Sequence, residues 1–315
     1  MMFADPILAT YVCVVAGLLG LVTGSFVNCW AWRSLHGESV LRGRSHCTAC
    51  GHELGVRDLI PVISWLASGR SCRYCGEAVS ARYPATELIC CAVFVGIAAV
   101  YGLSLETIEL MLFASCLLFL SLTDIDDYLI PNGCIITAIV VRAVYLAAAC
   151  AMGTMNIDQV LYYLASGFGI GAALVVVVLV ADRAFGRASM GGGDLKLYFV
   201  AGLYFGWQQC LLVVILSCLF GIVVAALGSD RAQKRAESEA ESATGREDAT
   251  TVDGGDSPAE AEADAEVETE TDAEGDGEES ILKRTIPFGP SIAAACVVVM
   301  LAGGPIVSWY LSLLS

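Results

Sequence analysis

Two stretches of the 315-residue chain set carboxylates against long apolar runs: SMGGGDLKLYF at 189–199 and SLTDIDDYLIPN at 121–132. The first holds Asp194, and the second holds Asp124, Asp126 and Asp127. A charge at the bilayer centre costs about 2.5–3.5 kcal/mol on insertion scales, so an acid beside an apolar span is a functional candidate by default. Two carboxylates that meet can do acid–base work. One, ionised, polarises a water while its protonated partner donates to a carbonyl oxygen, and like charges held close share one proton. Gly191, Gly192 and Gly193 free the backbone before Asp194 and let an extended substrate approach it. On spacing alone Asp194 is equally an N-cap for the helix that follows, and Lys196 an anchor at the interface.

A second constellation is HCTACGH at 46–52 with SCRYCGE at 71–77. Cys47, Cys50, Cys72 and Cys75 form C-x2-C, 21 residues, C-x2-C, a spacing suited to tetrahedral zinc. A glycine after each second cysteine permits the tight turn. The segment has little core of its own, so bound metal would supply its folding energy. Two disulfides are the alternative, disfavoured in a reducing compartment, and His46 or His52 could replace a cysteine ligand. The other ten cysteines read as small packing residues in or beside apolar spans. The three histidines include no H-E-x-x-H pair, which argues against a zinc protease of that type.

The elements that must position these groups are membrane helices. The chain is 57% hydrophobic, with spans expected at 7–32, 84–103, 107–125, 133–152, 159–181, 195–208, 209–228 and 288–312. The start of the chain lacks the basic region of a signal peptide, so 7–32 is expected to remain as the first helix. Lys and Arg gather in alternate connections, and Arg142 alone lies deep inside a span, Lys196 being at the edge of 195–208. Those basic connections are expected in the cytoplasm, a parity that eight spans satisfy and seven would break. The fold expected is an all-α polytopic membrane protein of about eight transmembrane helices, with a small cytoplasmic four-cysteine zinc-binding module between helices 1 and 2. Its divisions are helix 1 at 1–32, the zinc module at 33–83, a transmembrane core at 84–228, an acidic insertion at 229–284 and a last helix at 285–315. The insertion carries 19 acids and 6 bases, so the net charge of −16 is mostly local. Its composition predicts disorder, either as a solvated spacer or as an electrostatic lure for a basic partner.

Taken in order, GSFVNCWAWR (24–33), the paired C-x2-C motifs, PVISWLASGRSCRYCGEAVSARYPATELI (61–89), DIDDYLIPN (124–132), MGGGDLKL (190–197) and IPFGP (286–290) resemble the prepilin peptidases. These are the type IV leader peptidases of the GxGD membrane aspartyl protease group. The resemblance covers about 17–228 and 281–312. It implies Asp124 and Asp194 as the catalytic pair, with Asp126 and Asp127 as lesser candidates. It further implies cleavage of the short basic leader of type IV prepilins or pseudopilins at the cytoplasmic face of a bacterial inner membrane, with the lipid bilayer as the other partner and no nucleic acid. Bifunctional members also methylate the new N-terminus with S-adenosylmethionine. For that cofactor the resemblance offers Asn28, Arg82, Tyr83 and Glu87, though Pro84 and Glu87 also suit an ordinary helix start. Asn132 stands where the family commonly has Asp. Two other classes remain open at this point: a transporter using intramembrane acids, and a zinc-knuckle scaffold without activity.

Overall fold

The computed structural model describes residues 5–40, 43–186, 190–247 and 287–314. The helices are α1 (Pro6–Leu35), a short α2 (Ile63–Ala67), α3 (Arg82–Tyr101), α4 (Leu105–Asp127), α5 (Asn132–Ala151), α6 (Ile157–Phe185), α7 (Gly192–Glu247) and α8 (Gly289–Leu314). Among the described residues the remaining regular structure is a 3-10 turn at Val56–Asp58 and two isolated bridges in the cysteine segment. Local chemistry sets the boundaries. Asp5 caps α1 by accepting from the Ile7 amide, ahead of Pro6, and Ser104 caps α4 by accepting from Thr107.

Among the described residues, seven helices are long and apolar enough to cross a membrane. One of them, Gly192–Ala226, is not a single rod. It breaks at Gly206, with φ 73° and ψ 174°. The Tyr198 and Ser217 hydroxyls lie 2.5 Å apart across that break. In an unbroken helix residues 19 apart would be separated by roughly 28 Å, so the chain doubles back and contributes two antiparallel arms. The break falls within two residues of the boundary that the sequence places between 195–208 and 209–228, so the eight spans expected from the sequence appear, among the described residues, as seven long apolar helices, one of them bent back on itself. Glycine is required here. A Cβ at Gly206 would lie 2.7 Å from Tyr162 Cε1 on α6, at a positive φ. Gly206→Ala is expected to lower stability by about 2 kcal/mol or more, read as an earlier thermal unfolding transition in detergent.

The chain divides into two compact units: Met1–Phe220 with Pro287–Ser315, and Gly221–Ile286. The first contains every candidate site. Its core is built around α4, the span with the largest buried share, which packs against α1, α3, α5 and α8. Phe113, Leu117 and Leu120 of α4 share that core with Leu197, Val200 and Ala201 of α7 and Ile292, Cys296 and Val299 of α8. Small residues set the closest approaches. A Cβ on Gly20 would come within 2.7 Å of Cys91 Cα in α3, and one on Gly202 within 2.9 Å of Gly167 Cα in α6. In the second unit α7 continues as helix to Glu247, where the sequence predicts no ordered structure from 229 onward. The stretch DRAQKRAESEAESA is rich in strong helix formers, which explains the extension. The rest of the expected disordered insertion, 248–284, lies outside the described residues.

Candidate active site

The carboxylate cluster forms where five helices end together. Asp124 sits near the end of α4, one turn before its last residue, and is buried. Its Oδ2 accepts the backbone N–H of Gly289, the first residue of α8, at 2.8 Å. A helix N-terminus presents unpaired amides and positive dipole to an anion, so α8 both orients this carboxyl and complements its charge. Asp194 lies half-buried in the first turn of α7 and interacts electrostatically with Asp124, although 70 positions separate them in the chain. The glycine loop brings it there by close packing. A Cβ on Gly193 would fall 2.9 Å from Ile130 Cβ, in the turn between α4 and α5, and one on Gly191 would fall 3.4 Å from Asp194 Oδ2. Gly192 meets no such contact. Lys196 donates to Asn132 Oδ1 at 2.8 Å and so ties α7 to the start of α5, in place of facing a carboxylate.

The remaining acids of the motif have other work. Asp126 receives a two-pronged contact from Arg82 at the start of α3, 2.5 Å from Nη1 and 2.8 Å from Nη2, and Arg82 also reaches the Leu122 carbonyl. Asp127 ends the helix at an exposed position.

The cysteine segment forms two copies of one turn. The Cys47 and Cys72 amides donate to His52 O and Glu77 O, while Gly51 and Gly76, at φ +70° and +77°, donate back to Cys47 O and Cys72 O at 2.8 and 2.9 Å. The four Sγ atoms all lie within 4.8 Å of one another, with Cys47 and Cys75 at 3.9 Å. A tetrahedron with Zn–S near 2.3 Å has edges of about 3.8 Å, so these residues fit a single metal ion. All four are free thiols. Neither His46 nor His52 belongs to the group. His46 packs on Trp32, and the His52 ring lies against Tyr74 with centroids 3.6 Å apart.

Between this segment, the end of α1 and the start of α3 lies a cavity of about 420 Å³. Trp32, Asp58, Trp65, Tyr83 and Glu87 are among its walls. Glu87 is buried and accepts the Val62 amide at 2.7 Å, which fastens the cysteine segment to α3. Of the four residues put forward for a cofactor, Tyr83 and Glu87 line this cavity, whereas Asn28 and Arg82 do not. Asn28 is buried in the α1–α3 seam, donating to Thr86 Oγ1 and to Gly24 O, and Arg82 is taken by Asp126. Sequence reasoning passed over the Gly289 amide, although IPFGP was in view as a motif. A glycine–proline pair opening an apolar run was the available signal for a free amide at a helix start.

Two family models match the chain: the Bacterial Peptidase A24 N-terminal domain over residues 18–101 and the Type IV leader peptidase family over 111–226. Together they account for well over half of it. Among similar proteins, the prepilin leader peptidase/N-methyltransferase of Bacillus subtilis (strain 168) is 27% identical over 298 residues, 94% of this chain and 96% of that protein. The protein of the same name from Myxococcus xanthus (strain DK1622) is 30% identical over 225 residues, 71% of this chain but 64% of that relative's length. That of Pseudomonas putida is 29% identical over 238 residues, 68% of this chain and 80% of that protein. No solved structure matches.

Proposed function

Because the chain belongs to the type IV leader peptidase family, we propose that it is an aspartyl endopeptidase of the bacterial inner membrane. It removes the short basic leader of type IV prepilins and pseudopilins at the cytoplasmic face and then methylates the new N-terminus. The observation that carries the reading is that Asp124, near the end of α4, and the Gly193–Asp194 turn, packed on Ile130 just past that end, lie at one end of the bundle although 70 positions apart in the chain. The starts of α3, α7 and α8, which meet there, each follow a connection that carries Lys or Arg, which supports a cytoplasmic site. The substrate's apolar helix would lie in lipid beside the enzyme with its leader reaching this end.

Cleavage needs no covalent intermediate. With Asp124 Oδ2 held by the Gly289 amide, Oδ1 is left to accept a proton from water as the water attacks the scissile carbonyl carbon. The other carboxyl, Asp194, donates its proton to the carbonyl oxygen. Collapse of the tetrahedral intermediate then requires proton transfer to the leaving amine, and the pair resets with one proton between its members. Gly289→Ala probes this directly. Its Cβ would fall 2.7 Å from Asp124 Oδ2, so the carboxyl must turn away. Cleavage in membranes is expected to fall roughly 100-fold, with protein abundance unchanged.

For methylation, the cavity is in the size range of small-molecule sites, and its walls offer aromatic faces from Trp32, Trp65 and Tyr83 beside the Glu87 carboxylate. Those groups suit an adenine ring and a sulfonium cation. S-adenosylmethionine would supply an electrophilic methyl group there, and the chain's part is to hold it and to exclude water. Zinc in the four-cysteine cluster would fix the cavity's outer wall, to which Cys47 and Cys72 belong. The test of the whole reading is cleavage of a prepilin-like substrate by membranes bearing the wild type or the aspartate variants treated in the Discussion.

A further inference from the structure

Arg142 lies half-way along α5, ten residues and roughly 15 Å from the Asn132 end. It is buried, and so is its partner Glu109 of α4, with side chains 6% and 2% exposed. The guanidinium donates through Nη1 to both oxygens of Glu109, at 2.9 and 3.2 Å. Its other edge donates to two backbone carbonyls of α7, Nε to Leu203 O at 2.9 Å and Nη2 to Tyr204 O at 3.3 Å. The rings of Tyr163, Tyr204 and Tyr145 lie 4.5, 5.1 and 5.3 Å from it. Leu203 and Tyr204 form the last turn of the first arm of α7, just before the break at Gly206. The break removes the helical donors that these carbonyls would otherwise receive, and at membrane depth only protein can replace them.

We infer that Arg142, oriented by Glu109, is a positioning residue for peptide cleavage: it clamps the far end of the short arm of α7 and so fixes the depth of Asp194 at the near end. Nine residues, about 14 Å of helix, separate Asp194 from Leu203. An arm this short acts as a rigid lever between the two ends. The inference rests on the reading that Asp194 is catalytic. Lysine cannot replace the arginine here, because one ammonium cannot serve a carboxylate and two carbonyls in a planar fork.

The experiment measures kcat and KM for a prepilin-like peptide with the full chain in membranes. The variants are Arg142→Lys, the double Arg142→Leu/Glu109→Leu, the exchange Arg142→Glu/Glu109→Arg, and Asp194→Asn alongside. The double leucine variant removes both charges and keeps an apolar interior, a replacement that buried ion pairs tolerate, so it decides the matter should Arg142→Lys fail to fold. Expected is a kcat reduced about 10- to 100-fold in the lysine and double leucine variants with KM within about twofold. The exchange variant is expected to rescue nothing, since it sets a carboxylate against the two carbonyls. Wild-type kcat in the double leucine variant, with Asp194→Asn inactive, overturns this inference and leaves the dyad standing. Wild-type kcat in the exchange variant also overturns it, because an ion pair alone would then suffice. Cleavage by Asp194→Asn overturns the dyad reading itself.

Discussion

Asp124→Asn and Asp194→Asn are each expected to reduce cleavage of a prepilin-like substrate by about a thousandfold or more, the range lost with a general acid or base. Asparagine keeps the shape and the hydrogen bond that Gly289 donates to Oδ2 of Asp124, so the loss would report proton transfer and not packing. Asp126→Asn is the informative companion. Asp126 carries an ion pair to Arg82 with both side chains about a third exposed, and partly exposed pairs contribute no more than about 1 kcal/mol. Its variant is therefore expected to cleave within about tenfold of wild type. Equal protein abundance in membranes is the control. Cleavage that survives loss of Asp194 would return that residue to the role of a helix cap, and cleavage lost only with Asp126 would move the site along α4.

Removing metal from the cysteine cluster should have the second largest effect, and on a different activity. A structural zinc site is worth about 10–16 kcal/mol of apparent binding free energy, more than a segment with almost no buried side chains can replace. Within that segment Cys72 is buried, whereas Cys50 and Cys75 are exposed. Cys47→Ser, or a strong chelator, is expected to abolish methyl transfer to a pre-cleaved peptide, because the cavity shares Cys47 and Cys72 with the cluster. Cleavage should fall less, since the dyad is carried by α4 and α7. The checks are metal content by elemental analysis, susceptibility of 43–81 to limited proteolysis, and the two activities assayed separately. Undiminished methyl transfer by metal-free protein with an intact proteolytic pattern would sink the assignment.

The features legible in the sequence were those whose physics is local. The two knuckles can be read because each needs cysteine and glycine at fixed spacing within six residues, and the spans because each is a continuous apolar run. The turn at Gly206 was located to within two residues from composition alone. Choosing Asp124 over Asp126 needed the family resemblance, because the distinguishing partners, Gly289 and Arg82, are 165 and 44 residues away in the chain. Arg82 was put forward as a cofactor ligand by that resemblance alone, and its ion pair with Asp126 is likewise a long-range contact. Arg142 was visible as a cation inside a span, and such a cation demands an acid on another helix. Glu109 was the available answer, but the two carbonyls freed by the break in α7 could not be read without the fold. The acidic stretch reads two ways, because net charge argues for disorder while the same alanines and glutamates favour helix once a preceding helix has nucleated it.

The clamp that α8 applies to Asp124 also bears on truncation. Gly289 follows Asp124 by 165 positions in the chain, and α8 supplies both an amide to that carboxyl and side chains to the core. A chain stopped short of α8 would therefore lose a hydrogen bond to the candidate dyad and a share of the core together.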